Sequence, residues 1–398
     1  MIALQDYHDI IHRCFRCGYC KFPTNHIEAN NCPAYARFRL ESYSAGGRLW
    51  LIRAWMNNEI EWSERLARIV FSCTTCRNCV ERCPYRFSDE IVNMIVAAKN
   101  EMVDKGLVRS TIRSFLENVK KYGNPYGEPR ETRGKWADGT GIPSYNGQEF
   151  LYYVGCVGSY DTRAVKVTRA LGQLLLEAGV SFGVLGLDED CDGNEVSKLG
   201  EETLFAMLAQ RNIQEFKGLG VTKIVALSPH SYNAVKNEYP KLDGKFHVVH
   251  ATHLLRDLIK SGKLDVSGRV NATVTYQDPC FLGRWNEQYD TPREVLRAVP
   301  GVKLVEMERN RSGALCCGGG GGNFGTDFLG GSEESPARTR IREACATGAD
   351  ILATACPVCL TMFEDALKTE GLEDRLAVKD VSEIVADACL GKKASKKH

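Results

Sequence analysis

The spacing of apolar residues changes about a third of the way along the 398-residue chain. In residues 34–70 and 88–120, apolar side chains recur with helical spacing, as at Leu49 and Ile52. From residue 149 onward, short apolar runs alternate with helical stretches. The pattern predicts a helical N-terminal module followed by α/β structure with parallel sheets.

The α/β part contains an internal repeat. Short apolar runs predict strands at residues 150–154, 182–185, 224–227, 273–276, 302–306 and 351–355. The landmarks of the first half and their counterparts in the second are Val154-Gly155-Cys156 with Asp278-Pro279-Cys280, Cys191-Asp192-Gly193 with Cys316-Cys317-Gly318, and Ser228-Pro229-His230-Ser231 with Cys356-Pro357-Val358-Cys359. Since ligands of open α/β sheets collect at the carboxyl ends of strands, we expect the cysteines to gather at that edge.

These patterns divide the chain into four parts. A helical module covers residues 1–122, and a linker rich in Gly and Pro covers residues 123–148. Two Rossmann-like α/β domains follow, at residues 149–268 and 269–398. The expected fold class is therefore α + α/β.

Composition narrows the range of partners. The chain is 43% hydrophobic and 25% charged, with a formal net charge of +1. These values are ordinary for a globular protein and indicate neither a nucleic-acid nor a membrane partner. No run approaches the ~18 apolar residues of a membrane span, and the N-terminus lacks a signal-peptide pattern. We therefore expect a cytoplasmic protein whose membrane contact, if any, is made through a partner subunit.

Cysteine spacing points to metal chemistry. Many of the 17 cysteines stand in short C-x2-C steps, which are typical of metal sites in a reducing compartment. Two runs lie in the helical module: Cys14, Cys17, Cys20 and Cys32-Pro33, then Cys73, Cys76, Cys79 and Cys83-Pro84. The second has the spacing of a bacterial two-cluster ferredoxin, and the first carries an insertion before its last cysteine. A zinc ribbon is the competing interpretation, because C-x2-C pairs also bind zinc.

The ferredoxin pattern implies a crossed set of ligands. In two-cluster ferredoxins, the cysteine that precedes proline ligates the other cluster. The expected ligands are Cys14, Cys17, Cys20 and Cys83 for one 4Fe–4S cubane, and Cys73, Cys76, Cys79 and Cys32 for the other.

Five further cysteines form a set in the last third of the chain: Cys280, Cys316, Cys317, Cys356 and Cys359. A tetrahedral metal ion or a cubane needs only four thiolates. The adjacent pair also suits a single zinc ion poorly, because neighbouring side chains diverge. The set therefore predicts a multi-iron site larger or less regular than a cubane, or a cluster with a spare thiol.

Three other motifs need an interpretation. Gly320-x-Gly322-x2-Gly325 matches a dinucleotide pattern, but it follows a cysteine pair rather than a strand. Glycine there lets the backbone fold closely over a cluster and donate N–H groups to sulfur. His247-x2-His250-x2-His253 could be a metal trio, and we interpret it as a strand running into a helix. His230, beside the first-copy site, is a better candidate for proton transfer.

The overall arrangement resembles the D-type subunit of heterodisulfide reductase, which joins a two-cubane ferredoxin module to two cysteine-rich CCG domains. The segments YGNPYGEP (122–129) and ATACPVCLTMFEDALK (353–368) belong to this resemblance. The chain is also similar to the iron–sulfur subunit of anaerobic glycerol phosphate dehydrogenase. Its N-terminal module is similar to the helical ferredoxin of succinate dehydrogenase. The resemblance implies that the five-cysteine set holds a noncubane 4Fe–4S cluster.

The first copy departs from this family pattern. It keeps Cys156 and Cys191, but Asp192, Ser228 and Ser231 stand where the family has cysteines. Two thiols cannot hold such a cluster unaided, so we expect the first copy to be empty.

Together these features predict an iron–sulfur electron-transfer subunit of a multi-subunit anaerobic oxidoreductase. Its two cubanes would exchange electrons with the noncubane cluster. The partner would be a flavoprotein, a membrane cytochrome or quinone module, or an electron-bifurcating assembly. One alternative is a catalytic heterodisulfide or thiol–disulfide reductase acting at the noncubane cluster. Another is a zinc-structured scaffold, which stoichiometric zinc without sulfide would indicate.

Overall fold

The N-terminal third of the chain is helical, as its apolar spacing predicts. The computed structural model describes residues 3–22 and 30–395. Its helices in this part are α1 (His8–Ile11), α2 (Pro33–Phe38), α3 (Ala45–Met56), α4 (Glu64–Phe71), α5 (Asn78–Arg82), α6 (Glu90–Asp104) and α7 (Ser110–Tyr122). Ser44 and Ser63 cap α3 and α4 by accepting hydrogen bonds from backbone N–H groups of the first turn.

Both long periodic stretches are interrupted by residues with left-handed backbone. Arg39, with φ of 55°, ends α2 inside the stretch 34–70. Gly106, with φ of 69°, separates α6 from α7 inside the stretch 88–120. Such residues cannot continue a right-handed helix, and apolar periodicity does not reveal them.

Two four-stranded parallel sheets with the same strand order follow. The first, in the order β2-β1-β3-β4, contains β1 (Phe150–Tyr153), β2 (Phe182–Gly183), β3 (Lys223–Ala226) and β4 (His247–His250). The second, in the order β6-β5-β7-β8, contains β5 (Ala272–Tyr276), β6 (Val302–Val305), β7 (Ile351–Thr354) and β8 (Ala377–Asp380). The predicted fold class, a helical module followed by two parallel α/β repeats, is confirmed.

Helices alternate with these strands. They are α8 (Gly155–Tyr160), α9 (Ala164–Glu177), α10 (Asn194–Lys198), α11 (Glu202–Gly218), α12 (Pro229–Asn233), α13 (Ala251–Lys260), α14 (Thr291–Ala298), α15 (Asn323–Thr326), α16 (Pro336–Ala346), α17 (Pro357–Glu370) and α18 (Val381–Ser395). In the part of the chain that the structure describes, no helix is both long and apolar enough to span a membrane.

Two strands differ from the sequence pattern. β2 has only two residues, because Val184 leaves it to make an isolated bridge with Ser144 of the linker. β8 was not predicted. It is an edge strand in which only Val378 and Asp380 are buried, so it lacks the continuous apolar run of an inner parallel strand.

The strand order explains where the motifs lie. In each sheet the second strand lies on one side of the first strand and the third lies on the other side. Ligands bind open α/β sheets at the carboxyl ends of the strands at such a switch point. Cys156 and Ser228 follow β1 and β3 of the first sheet, and Cys280 and Cys356 follow β5 and β7 of the second. Each copy of the cysteine motif therefore lies at the switch point of its own sheet.

The two α/β domains are also tied to each other directly. Arg163, at the start of α9, donates to Glu364 at 2.7 Å and to Glu383 at 2.7 and 2.8 Å. One apolar core extends through both sheets and includes the fully buried Tyr152 and Tyr276. This packing fixes the position of one switch point relative to the other.

His250 at the end of β4 gives a test of this packing. It is buried, its Nδ1 accepts the backbone N–H of Thr252 at 3.3 Å, and burial lowers its pKa to about 3. The fold therefore favours the neutral ring of His250. The resulting stabilisation is fully present above the pKa that this histidine has in the unfolded chain, about 6.5, and it is lost as the pH falls below that value. Between pH of about 7.5 and about 5.5, the contribution to the free energy of unfolding should fall by about 1.4 kcal/mol.

His250→Asn keeps a capping acceptor but does not titrate, so it should lose that part of the pH dependence. The measurement is the urea unfolding midpoint of the holoprotein at both pH values. The matched control is His247→Asn, which changes an exposed histidine on the same strand. An unchanged pH dependence in His250→Asn would contradict this role of the buried ring.

Candidate metal centres

Four cysteines line a cavity on the outer side of the helical module. They are Cys14, Cys17, Cys20 and Cys83, named here the outer cysteine group. Cys17 is exposed, and the other three are partly buried. A β-carbon at Gly46 would lie 3.5 Å from the Cys14 sulfur and 3.9 Å from the Cys20 sulfur. Gly46 therefore forms part of the wall that faces these two thiols.

A second set of four cysteines lines a more buried cavity. They are Cys32, Cys73, Cys76 and Cys79, named here the inner cysteine group. Burial raises the pKa of Cys79 well above its ordinary value. The buried Arg48 lies close enough to Cys32 for its charge to oppose the same effect there. Buried thiols with cationic neighbours suit an anionic metal cluster, since metal binding removes their protons.

The two cysteine runs share an uncommon backbone conformation. Arg16 and Gly18 in the first run have φ of 55° and 87°, and Thr75 and Arg77 at the matching positions of the second have 51° and 61°. A β-branched residue such as Thr75 rarely adopts a positive φ, and such outliers are concentrated at functional sites. Each run therefore curls in the same way, which turns its three thiols towards one cavity.

The second α/β domain gathers the five-cysteine group: Cys280, Cys316, Cys317, Cys356 and Cys359. All five are buried. The Cys280 and Cys316 sulfurs are 3.9 Å apart, and those of Cys317 and Cys359 are 3.3 Å apart. Contacts of this kind within one buried set allow several thiols to bind the same centre.

Two members of this group are disposed to ionise. Hydrogen bonding with Cys316, and to a smaller extent with Cys359, lowers the pKa of Cys317 to about 5. Burial alone would raise the pKa of Cys356, but hydrogen bonds from Cys359 and His230 outweigh it and lower that pKa to about 5. The thiolate is the form of cysteine that binds metal.

A glycine-rich loop, residues 318–322, packs between the five-cysteine group and the helical module. Its N–H groups at Gly318 and Gly319 donate to sulfur at 3.4 and 3.5 Å. A β-carbon at Gly320 would lie 2.6 Å from the Thr74 carbonyl oxygen, and one at Gly321 would lie 2.6 Å from that of Cys73. Close backbone approach and donation to sulfur therefore explain these glycines, as the sequence indicates.

The inner cysteine group touches the five-cysteine group. The Cys316 thiol lies close enough to Cys76 to raise the pKa of Cys76 well above its ordinary value, and burial adds to this effect. The buried Arg284 donates to the Cys76 carbonyl at 2.6 Å and to the Ala314 carbonyl at 2.8 Å. The Trp285 indole N–H also donates to the Thr75 carbonyl at 2.9 Å. The two groups are therefore neighbours, although more than 200 residues separate them in the chain.

His230 connects the two α/β domains. Its Nδ1 lies 2.7 Å from Glu195 Oε1, and its ring lies beside Cys356 and packs against Phe281 of the second domain, with 4.4 Å between ring centroids. Burial alone would lower the pKa of His230, but the Glu195 carboxylate and the Cys356 contact raise it well above its ordinary value. Glu195 in turn accepts the Gly322 N–H at 2.6 Å. The histidine of the first copy thus contacts the cysteine set of the second.

The first copy is arranged differently. Cys156 and Cys191 are neighbours and line the same cavity. The Ser231 hydroxyl donates to Asp192 Oδ2 at 2.6 Å, and Ser228 Oγ accepts the backbone N–H of His230 at 3.2 Å. The side chains that replace cysteines are therefore already bound to neighbouring protein groups.

Several polar residues at these sites were missed by sequence reasoning. They are Lys99, Arg133, Glu189, Glu195 and Arg284. Glu195 and Arg284 each stand four residues after a motif cysteine, a local signal that could have indicated them. Lys99 donates to the carbonyls of Cys73 and Lys198 at 2.9 and 3.1 Å, which only the packed domains bring together.

Three segments of the chain match known protein families. Residues 10–87 match the family described as a 4Fe-4S dicluster domain. Residues 150–236 and 274–364 each match the cysteine-rich domain family, CCG. The two CCG matches begin at or within the first strand of each sheet and extend past its third strand, in agreement with the internal repeat, while β4 and β8 lie beyond them.

Curated relatives combine these parts. The chain is 40% identical over 333 residues to the probable iron-sulfur-binding oxidoreductase FadF of Bacillus subtilis, covering 81% of this chain and 47% of that protein. It is 36% identical over 334 residues to the EtfAB:quinone oxidoreductase of Syntrophomonas wolfei, covering 79% and 46%. The chain thus spans about half the length of these two relatives.

A third relative matches along nearly its whole length. It is the D-type subunit of the dihydromethanophenazine:CoB--CoM heterodisulfide reductase of Methanosarcina barkeri, 30% identical over 393 residues, covering 94% of this chain and 93% of that protein. This match agrees with the three family matches and with the two repeated sheets. The chain therefore belongs to the family of iron–sulfur proteins that includes the D-type subunits of heterodisulfide reductase, with a 4Fe–4S dicluster domain followed by two CCG domains.

Proposed function

We propose that this chain is an electron-transfer subunit of a larger oxidoreductase, moving single electrons between two 4Fe–4S cubanes and a noncubane 4Fe–4S cluster. The observation that carries the proposal is that the inner and five-cysteine groups are neighbours, bridged by Arg284, which donates to the Cys76 carbonyl at 2.6 Å and to the Ala314 carbonyl at 2.8 Å. On its other side, the inner group adjoins the outer group, where Asn78 donates to the Cys20 carbonyl at 3.1 Å. Three adjoining groups suit a route for electrons better than one isolated site does.

The outer and inner cysteine groups are the proposed ligands of the two cubanes. Each group lines one cavity and combines three cysteines of one run with the proline-linked cysteine of the other. This crossing is the arrangement of two-cluster ferredoxins. The clusters supply one-electron transfer when bound, and the chain supplies ligands, spacing and charge.

The five-cysteine group is the proposed ligand set of the noncubane cluster. Five buried thiols, two backbone N–H donors at Gly318 and Gly319, and the contact with His230 all suit an anionic cluster. In the first copy, Asp192 is bound to Ser231 and only two thiols remain. We therefore propose that the first copy holds no cluster.

The alternative function is a catalytic thiol–disulfide reductase acting at the noncubane cluster. The favouring observation is that His230, which lies beside Cys356, also lines a cavity that opens to solvent, although the cysteines in that lining are Cys156 and Cys191. Electron transfer alone predicts that a small organic disulfide leaves the EPR spectrum of the oxidised holoprotein unchanged. A new EPR signal on adding the disulfide would favour the reductase.

The partners are proposed from the relatives. One relative is named an EtfAB:quinone oxidoreductase, which suggests a flavoprotein donor and a quinone acceptor for this chain too. A membrane cytochrome or an electron-bifurcating assembly would serve the same role. We propose a cytoplasmic chain that reaches the membrane through such a partner. The exposed Cys17 makes the outer group the natural point for electrons to enter or leave.

Cys317→Ala tests the noncubane ligand set. The variant should lose the noncubane EPR signal and about four of about twelve iron atoms, while both cubane signals remain. The measurements are EPR and iron analysis of the anaerobically prepared holoprotein. Cys345→Ala, in α16 and outside all three groups, is the control and should keep all three signals. Retention of the noncubane signal in Cys317→Ala would contradict the assignment.

Arg284→Gln tests the junction between the inner and five-cysteine groups. Removing a buried positive charge beside Cys76 makes each added electron less favourable, so a cluster reduction potential should fall by about 50 mV. EPR-monitored redox titration measures the shift. Arg284→Lys keeps the charge and should shift the potential less, and the exposed Arg269→Gln is the control. Equal potentials in Arg284→Gln and Arg269→Gln would refute the role of this charge.

A further inference from the structure

The first α/β domain keeps two cysteines that the proposed electron route does not use. Cys156 lies in α8 just after β1, and Cys191 lies in the loop before α10. Each is 8% exposed, and the two thiols are neighbours on the wall of one cavity. A disulfide requires neighbouring sulfurs, and this pair meets that requirement.

Arg133 from the linker makes Cys156 the more reactive member of the pair. Its Nη1 and Nη2 lie 3.6 and 3.7 Å from the Cys156 sulfur, and Nη2 also donates to Glu189 at 2.9 Å. The hydrogen bond from Cys191, helped by the Arg133 charge, outweighs burial and lowers the pKa of Cys156.

The same hydrogen bond, together with burial, raises the pKa of Cys191 well above its ordinary value. One sulfur is therefore disposed to be a thiolate and the other a thiol. A thiolate stabilised by a nearby cation is the nucleophile of thiol–disulfide exchange.

The surroundings of the pair suit a metal ion poorly. The Arg133 guanidinium already supplies the positive charge beside the Cys156 sulfur. Asp192 is engaged by Ser231, and Ser228 accepts the N–H of His230. The two thiols alone are half of a tetrahedral ligand set.

The pair lines a small cavity. The cavity has a volume of about 40 Å³ and opens to solvent. The lining is mostly apolar and includes Phe115, Pro125, Phe324, His230 and Val358. Both cysteines keep some solvent exposure, so their sulfurs are not sealed from solvent.

We propose that Cys156 and Cys191 form a reversible disulfide, a redox-controlled modification site in the first CCG domain. The Cys156 thiolate attacks a small organic disulfide, forming a mixed disulfide and releasing one thiolate. Cys191 then attacks the Cys156 sulfur, its proton passes to the released thiolate, and the second organic thiolate leaves and takes a proton from solvent. The protein dithiol is oxidised by two electrons, and the organic disulfide is reduced to two thiols.

An excess of small thiol reverses both steps. The inference goes beyond electron transfer, and it rests on the proposed function only in that this copy holds no cluster.

The test equilibrates the anaerobic holoprotein with glutathione and glutathione disulfide at a series of ratios. Free thiols are then trapped with N-ethylmaleimide under denaturing conditions, and the peptides are mapped by mass spectrometry. A peptide pair joined through Cys156 and Cys191 should appear with a two-electron dependence on the ratio. It should be absent from Cys156→Ser and Cys191→Ser, and fully retained in the control Cys345→Ser.

Two results would overturn the inference. One is alkylation of both cysteines at every ratio, with no joined peptide. The other is loss of iron or zinc from Cys156→Ser relative to Cys345→Ser, which would make the pair metal ligands. EPR spectra of the same samples keep the two proposals separate. If the cluster signals are absent and the joined peptide is present, this inference is supported, and only the proposed electron route is contradicted.

Discussion

The close packing of the glycine-rich loop against the inner cysteine run is the contact on which the redox part of the molecule depends. Gly320 and Gly321 bring their backbone against the carbonyls of Thr74 and Cys73, at distances where no β-carbon fits. The loop also carries the N–H groups that donate to the Cys316 and Cys317 sulfurs. A larger side chain there would separate the helical module from the second CCG domain.

Buried sulfur imposes a second constraint, because a thiolate or an anionic cluster away from water needs positive charge or hydrogen-bond donors nearby. The chain meets it with buried cations drawn from different parts of the sequence. Arg48 and Lys99 lie beside the inner group, Arg284 lies at its junction with the five-cysteine group, and Arg133 lies beside Cys156 of the first copy. Each cation is held by protein carbonyls or carboxylates, so its position is part of the fold.

The two CCG domains show how one fold can hold different chemistry. Both sheets have the same strand order, so both place their motifs at a topological switch point. In the second domain five buried thiols occupy that position. In the first, Asp192, Ser228 and Ser231 bond to neighbouring protein groups, and two thiols remain beside Arg133. His230 keeps the first copy in contact with the second through Cys356.

The helical module, the repeated parallel sheets and the cysteine runs were predictable from the sequence, because periodicity and C-x2-C spacing are local properties of the chain. The sequence did not reveal the helix breaks at Arg39 and Gly106, or the edge strand β8, whose short polar pattern is no different from that of a loop. Only the tertiary structure decided which distant groups meet: Cys76 with Cys316, Arg133 with Cys156, and His230 with Cys356. Those contacts depend on how whole domains pack, and no local pattern of residues encodes them.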